Sequence, residues 1–218
     1  MASSFKSKLV RIGTIDYSKS FIIEQLFADP KMLEVHAQRL KNIYKNASDE
    51  FMRHQIDNII IRENAFNLIM QYLVTLYQIT FDSTEVSVFV SKLKPQFPEA
   101  KDEMILDLAK KLITKGLVFE DLAQANQISI TDDQSKEYLE NYYKTTNNSI
   151  NEFLNNPEKF KEIKGIILEE RITQWLIDKF KVSLNIKNIL NRQIPINNFN
   201  QNTNPSNSNN FNVPNINK

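Results

Sequence analysis

The sequence predicts an all-α protein whose helical arms surround one long helix, with an imperfect internal helical repeat. Three observations predict it. Only three glycines, Gly13, Gly116 and Gly165, occur in 218 residues, whereas hairpin-rich β folds need positive-φ residues at many turns. Apolar residues recur at helical spacing through most of the chain. Proline, Asx and Ser/Thr signals stand where those stretches begin. An apolar fraction of 41% is enough to build a core.

Residues 1–17 read as an N-terminal extension, followed by one helical domain over 18–190. Phe21, Ile22 and Leu26 predict a short amphipathic helix from Ser18, ended near Asp29 because the residue before Pro30 is pushed out of the αR region. Pro30 suits a first helical position, and Leu33, Leu40, Ile43 and Tyr44 carry the next helix to Asn46-Ala47. Ser48 is then a candidate N-cap, with Asp49 and Glu50 placed favourably against the helix dipole. The helix it opens, 49–78, would span about 45 Å at 1.5 Å per residue. Its apolar positions, among them Phe51, Ile56, Ile60, Phe66, Ile69, Leu73 and Leu76, cover more than one stripe, so it should be packed on several sides.

Two junctions then match, at 78–85 and 127–134, and define repeat units of about 78–126 and 127–186. Asp82 or Ser83 can cap the first, with Glu85 near N3, and Thr131 and Gln134 have capping-box spacing in the second. Each is followed by a helix of roughly 12 residues, a polar break, and a Pro-Glu pair, Pro98-Glu99 or Pro157-Glu158, that should open a longer amphipathic helix. The first unit reaches its end through Gly116 and an extra helical segment over 119–125; the second ends in the apolar exit 180–184. Residues 191–218 read as a disordered tail, since 11 of the 22 residues from Asn197 onward are Asn and such a segment buries too little to offset its ordering entropy.

Composition removes several classes of function. Lys plus Arg (27) nearly balance Asp plus Glu (26), without the basic excess that phosphate-backbone binding leaves on a domain, so nucleic acid is not an expected partner. No cysteine occurs, which excludes disulfides, thiolate nucleophiles and Cys-ligated zinc, and makes the cytoplasm the default location. The first 11 residues have no apolar h-region. Residues 56–81, the most apolar stretch, are interrupted by Asp57, Arg62 and Glu63 and do not supply a membrane span.

No cofactor is expected, because neither Gly-x-Gly-x-x-Gly nor Gly-Lys-Ser/Thr occurs, and with them go the usual nucleotide cradles. His36 and His54, if carried by one unbroken helix, would stand about 27 Å apart, too far to share a metal. Adjacent carboxylates such as Glu169-Glu170 point about 100° apart on a helix and form no acid–base pair. The chain is not expected to be an enzyme.

Aromatic residues concentrate in the repeat region: Phe81, Phe89, Phe97, Tyr138, Tyr142, Tyr143 and Phe153. They are candidates for an adaptable apolar binding surface, and equally for core packing between short helices. Tyr142-Tyr143, beside the polar break at 145–148, is the pair expected to be partly exposed.

The second unit resembles the C-terminal region of trigger factor, the bacterial chaperone of nascent chains, and is similar to the helical core of SurA-type chaperones. The residues that carry this are the junction Ile128-Ser129-Ile130-Thr131-Asp132, the helix over 135–143, the run Phe153-Leu154-Asn155-Asn156-Pro157-Glu158, and the closing helix over 163–180. The likeness extends over about 50–190. It implies an ATP-independent chaperone that binds unfolded or nascent polypeptides in an apolar helical cradle. The Gly-Phe-Arg-x-Gly loop by which trigger factor docks on the ribosome does not occur here, nor do the glycines of its prolyl isomerase domain, so neither ribosome docking nor isomerase activity is implied. The alternative function is a non-catalytic assembly module for one defined protein partner.

Overall fold

A computed structural model describes residues 5–143 and 150–185. The Asn-rich segment 191–218 and the polar break at 145–148 lie outside the described residues. Seven α-helices occur among the described residues: α1 (Pro30–Ile43), α2 (Asp49–Val74), α3 (Ser83–Leu93), α4 (Asp102–Ala125), α5 (Asp132–Tyr143), α6 (Asn151–Leu154) and α7 (Pro157–Lys179). Four short strands accompany them: β1 (Lys8–Arg11), β2 (Ser20–Ile23), β3 (Tyr77–Thr80) and β4 (Lys181–Leu184). The fold is therefore mostly α, as its composition indicates.

Helix starts follow the chemistry of their caps. Asp29 accepts N–H bonds from Lys31 and Met32 with Pro30 at the first position of α1, and Ser48 Oγ accepts from Phe51 at 3.2 Å at the start of α2. Asp82 accepts from Glu85 at 2.8 Å, and Asn156 caps α7 behind Pro157. At α5, Thr131 Oγ1 accepts from the Gln134 N–H at 3.2 Å while Gln134 Oε1 accepts from the Thr131 N–H at 3.1 Å, a reciprocal capping box.

The helices form three hairpins of one construction. In each, a short helix (α1, α3, or α5 with α6) folds back on the N-terminal half of a long one (α2, α4, α7). In the second hairpin Leu93 meets Ile105 and Ala109 near the turn, and Val86 meets Ile113 and Leu117 farther down. In the third, Tyr138 and Leu139 meet Ile163 and Ile167. The C-terminal halves of the three long helices converge in a central hub, where Ile69, Leu73, Val118, Leu122, Ile172 and Leu176 are sealed from solvent. The apolar character of α2 on more than one stripe reflects this: one end carries α1, the other meets two long helices.

Four expectations are corrected. Residues 18–26 are not helical. Ser20–Ile23 form a strand whose Phe21 and Ile23 point inward, paired in parallel with β4 from the far end of the chain, and that partner outweighs a weak local helical pattern. Helix α2 ends at Val74, and Tyr77–Thr80 leave as a strand because β1 pairs with them antiparallel, Leu9 opposite Ile79. Pro98-Glu99 does not start a helix: both lie in a turn, and α4 begins at Asp102 behind Lys101, with Lys94 Nζ 2.8 Å from Asp102. Nor does Gly116 divide α4. It lies in continuous helix, and its missing side chain makes room for the Phe5 ring, which a Cβ at that position would strike.

The segment before β2 is built into the fold. Glu85, at the start of α3, accepts the N–H groups of Lys6 at 3.0 Å and Ser7 at 2.9 Å, and Ser7 Oγ accepts from the Asp82 N–H at 3.0 Å. Arg11 pairs with Asp121 on α4, which also accepts the buried Tyr77 hydroxyl at 2.6 Å. Asn64, buried on α2, fixes the approach to α1. Its Oδ1 accepts the Phe27 N–H at 2.9 Å, and its Nδ2 donates to the carbonyls of Phe27 at 2.7 Å and Ile60 at 2.8 Å.

Candidate functional site

All three hairpin turns carry large apolar side chains in solvent. At the first turn Ile43, Tyr44 and Phe51 are exposed, with the Tyr44 and Phe51 rings edge-on at 5.1 Å. At the second, Phe97 is 45% and Met104 62% exposed. At the third, Tyr142 is 43% exposed beside Tyr143, and Leu154 is exposed on α6. The physical reason is local: a hairpin turn has no third helix to cover it, so apolar side chains at the helix ends and in the turn stand in water.

The seven aromatic residues singled out in the sequence separate into three groups. Phe97 and Tyr142 are exposed. Phe81 and Phe89 are half-buried against Val86, Ile113 and Leu117 of the α3–α4 hairpin, and Tyr143 and Phe153 half-buried against each other, their rings 5.7 Å apart. Tyr138 is 7% exposed and packs in the α5–α7 core. No single cleft gathers all seven. Tyr44 and Phe51 belong to the helical apolar patterns of the sequence, as does Met104 in α4; their nearness to a helix end is the signal that marks them as exposed.

Burial pushes the Arg39 guanidinium on α1 below its ordinary pKa, and it faces Tyr138, Tyr142 and Glu170 across the gap to α5 and α7. Burial also pushes the Tyr138 phenol well up, with the Glu170 charge adding to the effect. Arg39 Nη2 and the Tyr138 hydroxyl are buried with no hydrogen-bond partner among the described residues, a costly arrangement for two polar groups. His36, on α1, lies 3.2 Å from Glu63 on α2, a contact between two helices and not along one. Among the described residues there is no group of three or more His, Cys, Asp or Glu that could hold a metal, and no helix long and apolar enough to cross a membrane.

Comparison with known proteins gives this architecture a context. Residues 36–178 match the family described as the bacterial trigger factor protein C-terminus. A Mycoplasma pneumoniae protein, an uncharacterized MG377 homologue, is 32% identical over 187 residues, covering 85% of this chain and 97% of that protein. The Mycoplasma genitalium protein MG377 is 31% identical over the same shares. Trigger factor of Nitrosomonas europaea is 29% identical over 83 residues, which is 37% of this chain and 19% of that one. Among solved structures, a hypothetical Mycoplasma protein, MPN555, superposes with a TM-score of 0.74 at 30% identity, covering 85% of this chain and 95% of that one. The matched span runs from within α1 to the last turn of α7 and takes in all three long helices, so the chain belongs to the bacterial trigger factor C-terminal family.

Proposed function

We propose that this protein is a chaperone-like holder of unfolded or nascent polypeptide segments, acting in the cytoplasm without nucleotide or other cofactor. One observation carries the reading: every hairpin turn presents exposed large apolar residues while the hub beneath them is closed. A client held at separated tips meets several weak apolar contacts at once. Such contacts are non-directional and scale with area, so they suit segments of no fixed sequence. Tyr44, Phe51, Phe97, Met104, Tyr142 and Leu154 are the residues assigned to this surface, with the half-buried Phe81, Phe89, Tyr143 and Phe153 beneath or beside them. Membership of a chaperone-type family supports the reading, and no catalytic step is part of it.

The test is suppression of aggregation of a thermally unfolding reporter protein, with light scattering as the readout. Suppression at near-stoichiometric ratios without ATP is expected. No effect at several-fold excess would sink the proposal. A pull-down that returns a single stoichiometric protein instead of a range of unfolded chains would favour a dedicated assembly module.

A further inference from the structure

Residues 5–11 lie on the protein as a bound peptide would. Phe5 enters the apolar space between α3 and α4, against Val86, Ile113 and Leu117, in the notch left by Gly116. Leu9, four residues on, packs against the same cluster and against the hub. Between them it is chiefly the main chain that is gripped, with one side-chain bond added where Ser7 Oγ accepts the Asp82 N–H. Glu85 takes two consecutive N–H groups, and β3 pairs with residues 8–11 as an antiparallel neighbour. Lys6, Lys8 and Val10 meanwhile project into solvent.

The receiving surface therefore has four parts: an aromatic notch, an aliphatic site, a carboxylate for two amides, and a strand edge. All four come from β3, α3 and α4 with the adjoining face of the hub, and together they are the features of β-strand addition, in which main-chain bonds supply affinity and alternate pockets supply selectivity. We infer that this groove is a peptide-binding site for extended segments presenting an aromatic residue four positions before an aliphatic one, and that residues 5–11 are its resident competitor in cis.

The competitor's hold is short: β3 pairs with four of its residues, Phe5, Ser7 and Leu9 are its covered side chains, Arg11 pairs with Asp121, and Lys6, Lys8 and Val10 are exposed; a segment with so few covered side chains opens at a fraction of the global unfolding free energy. While it is seated, the apparent affinity of any other peptide falls by the fraction of molecules whose groove is vacant. The site uses none of the exposed hairpin-tip residues and shares with the client surface proposed above only the half-buried Phe81 and Phe89.

A fluorescein-labelled peptide of residues 1–14 is the probe, titrated against the full chain. Wild-type protein should bind it weakly. Substituting Phe5→Ala and Leu9→Ala in the protein, but not in the peptide, loosens the resident segment, and affinity for the peptide should rise by about tenfold or more. Adding Gly116→Val, which fills the notch, should abolish the gain. The inference is overturned by an absent gain in a double variant that keeps its helical circular dichroism and cooperative melt, or by a gain indifferent to Gly116→Val. Should the double variant fail to fold, hydrogen exchange in the wild type decides. Amides of residues 6–11 should open at least about tenfold more readily than those of the hub; exchange only through global unfolding would make the segment structural and the inference wrong. The aggregation assay on the wild-type protein, whose groove is filled, reads the hairpin tips, and the peptide titration reads the groove, so the two proposals fail separately.

Discussion

Replacing Asn64 by alanine tests how the first hairpin is attached. The amide makes three hydrogen bonds, and two of them satisfy both main-chain groups of Phe27 in the segment that leads from β2 into α1. The third goes to the Ile60 carbonyl, one turn earlier in the same helix, and its loss leaves that carbonyl within the helical ladder. The cost therefore falls on Phe27. A buried main-chain group left unpaired costs about 1–3 kcal/mol, but Phe27 is 69% exposed and water can reach part of its backbone, so the pair together should cost about 2 kcal/mol. For a domain of this size that corresponds to a fall in Tm of about 4–8 °C. Urea unfolding followed by circular dichroism measures it directly, with an unchanged m-value expected. Asn64→Asp keeps an acceptor for the Phe27 N–H but sets a buried carboxylate against the carbonyls of Phe27 and Ile60, so it should destabilise at least as much as Asn64→Ala. A loss below about 0.5 kcal/mol for Asn64→Ala, within the range of ordinary surface substitutions, would refute the view that this clamp sets the approach to α1.

Three further predictions follow from the geometry. Leu122→Ala, in the sealed hub, should cost about 2–5 kcal/mol through cavity formation and lower the cooperative melt of the whole domain, as read by calorimetry. Phe97→Ser with Tyr142→Ser should leave Tm nearly unchanged, since both rings are largely in water, yet weaken suppression of aggregation; equal activity in scattering assays would remove these tips from the client surface. Burial pushes the Glu85 carboxyl up, but the hydrogen bonds from Ser7 and Lys6 outweigh it and hold the pKa below the ordinary glutamate value. A depressed carboxyl contributes stability that is full above about pH 4.3 and is lost as pH falls through the lower folded value. Protection of the Lys6 and Ser7 amides against hydrogen exchange should therefore drop on acidification in that window, and Glu85→Gln should remove the dependence.

The sequence by itself determined the helical class, most helix starts and the family. These are local properties: a capping residue such as Ser48 or Asp82 satisfies N–H groups within three positions, and the Thr131–Gln134 box needs nothing beyond its own turn. Scarcity of glycine and the 3.6-residue apolar period likewise speak for each stretch alone. The exposed half of the candidate site was legible in part, because Tyr142 stood beside a polar break, and Phe97 is also in solvent. Tertiary structure alone decided which faces were covered. Tyr138 and Tyr142 share a helix and a residue type, yet one meets Ile163 and Ile167 and the other meets water. The strands were equally hidden, since residues 20–23 extend only because 181–184 lie beside them, 161 positions away at Ser20 and Lys181. Gly116 makes the same point. In sequence it resembled a helix break; in the folded chain it is the space that a ring from residue 5 fills, a use that no local pattern records.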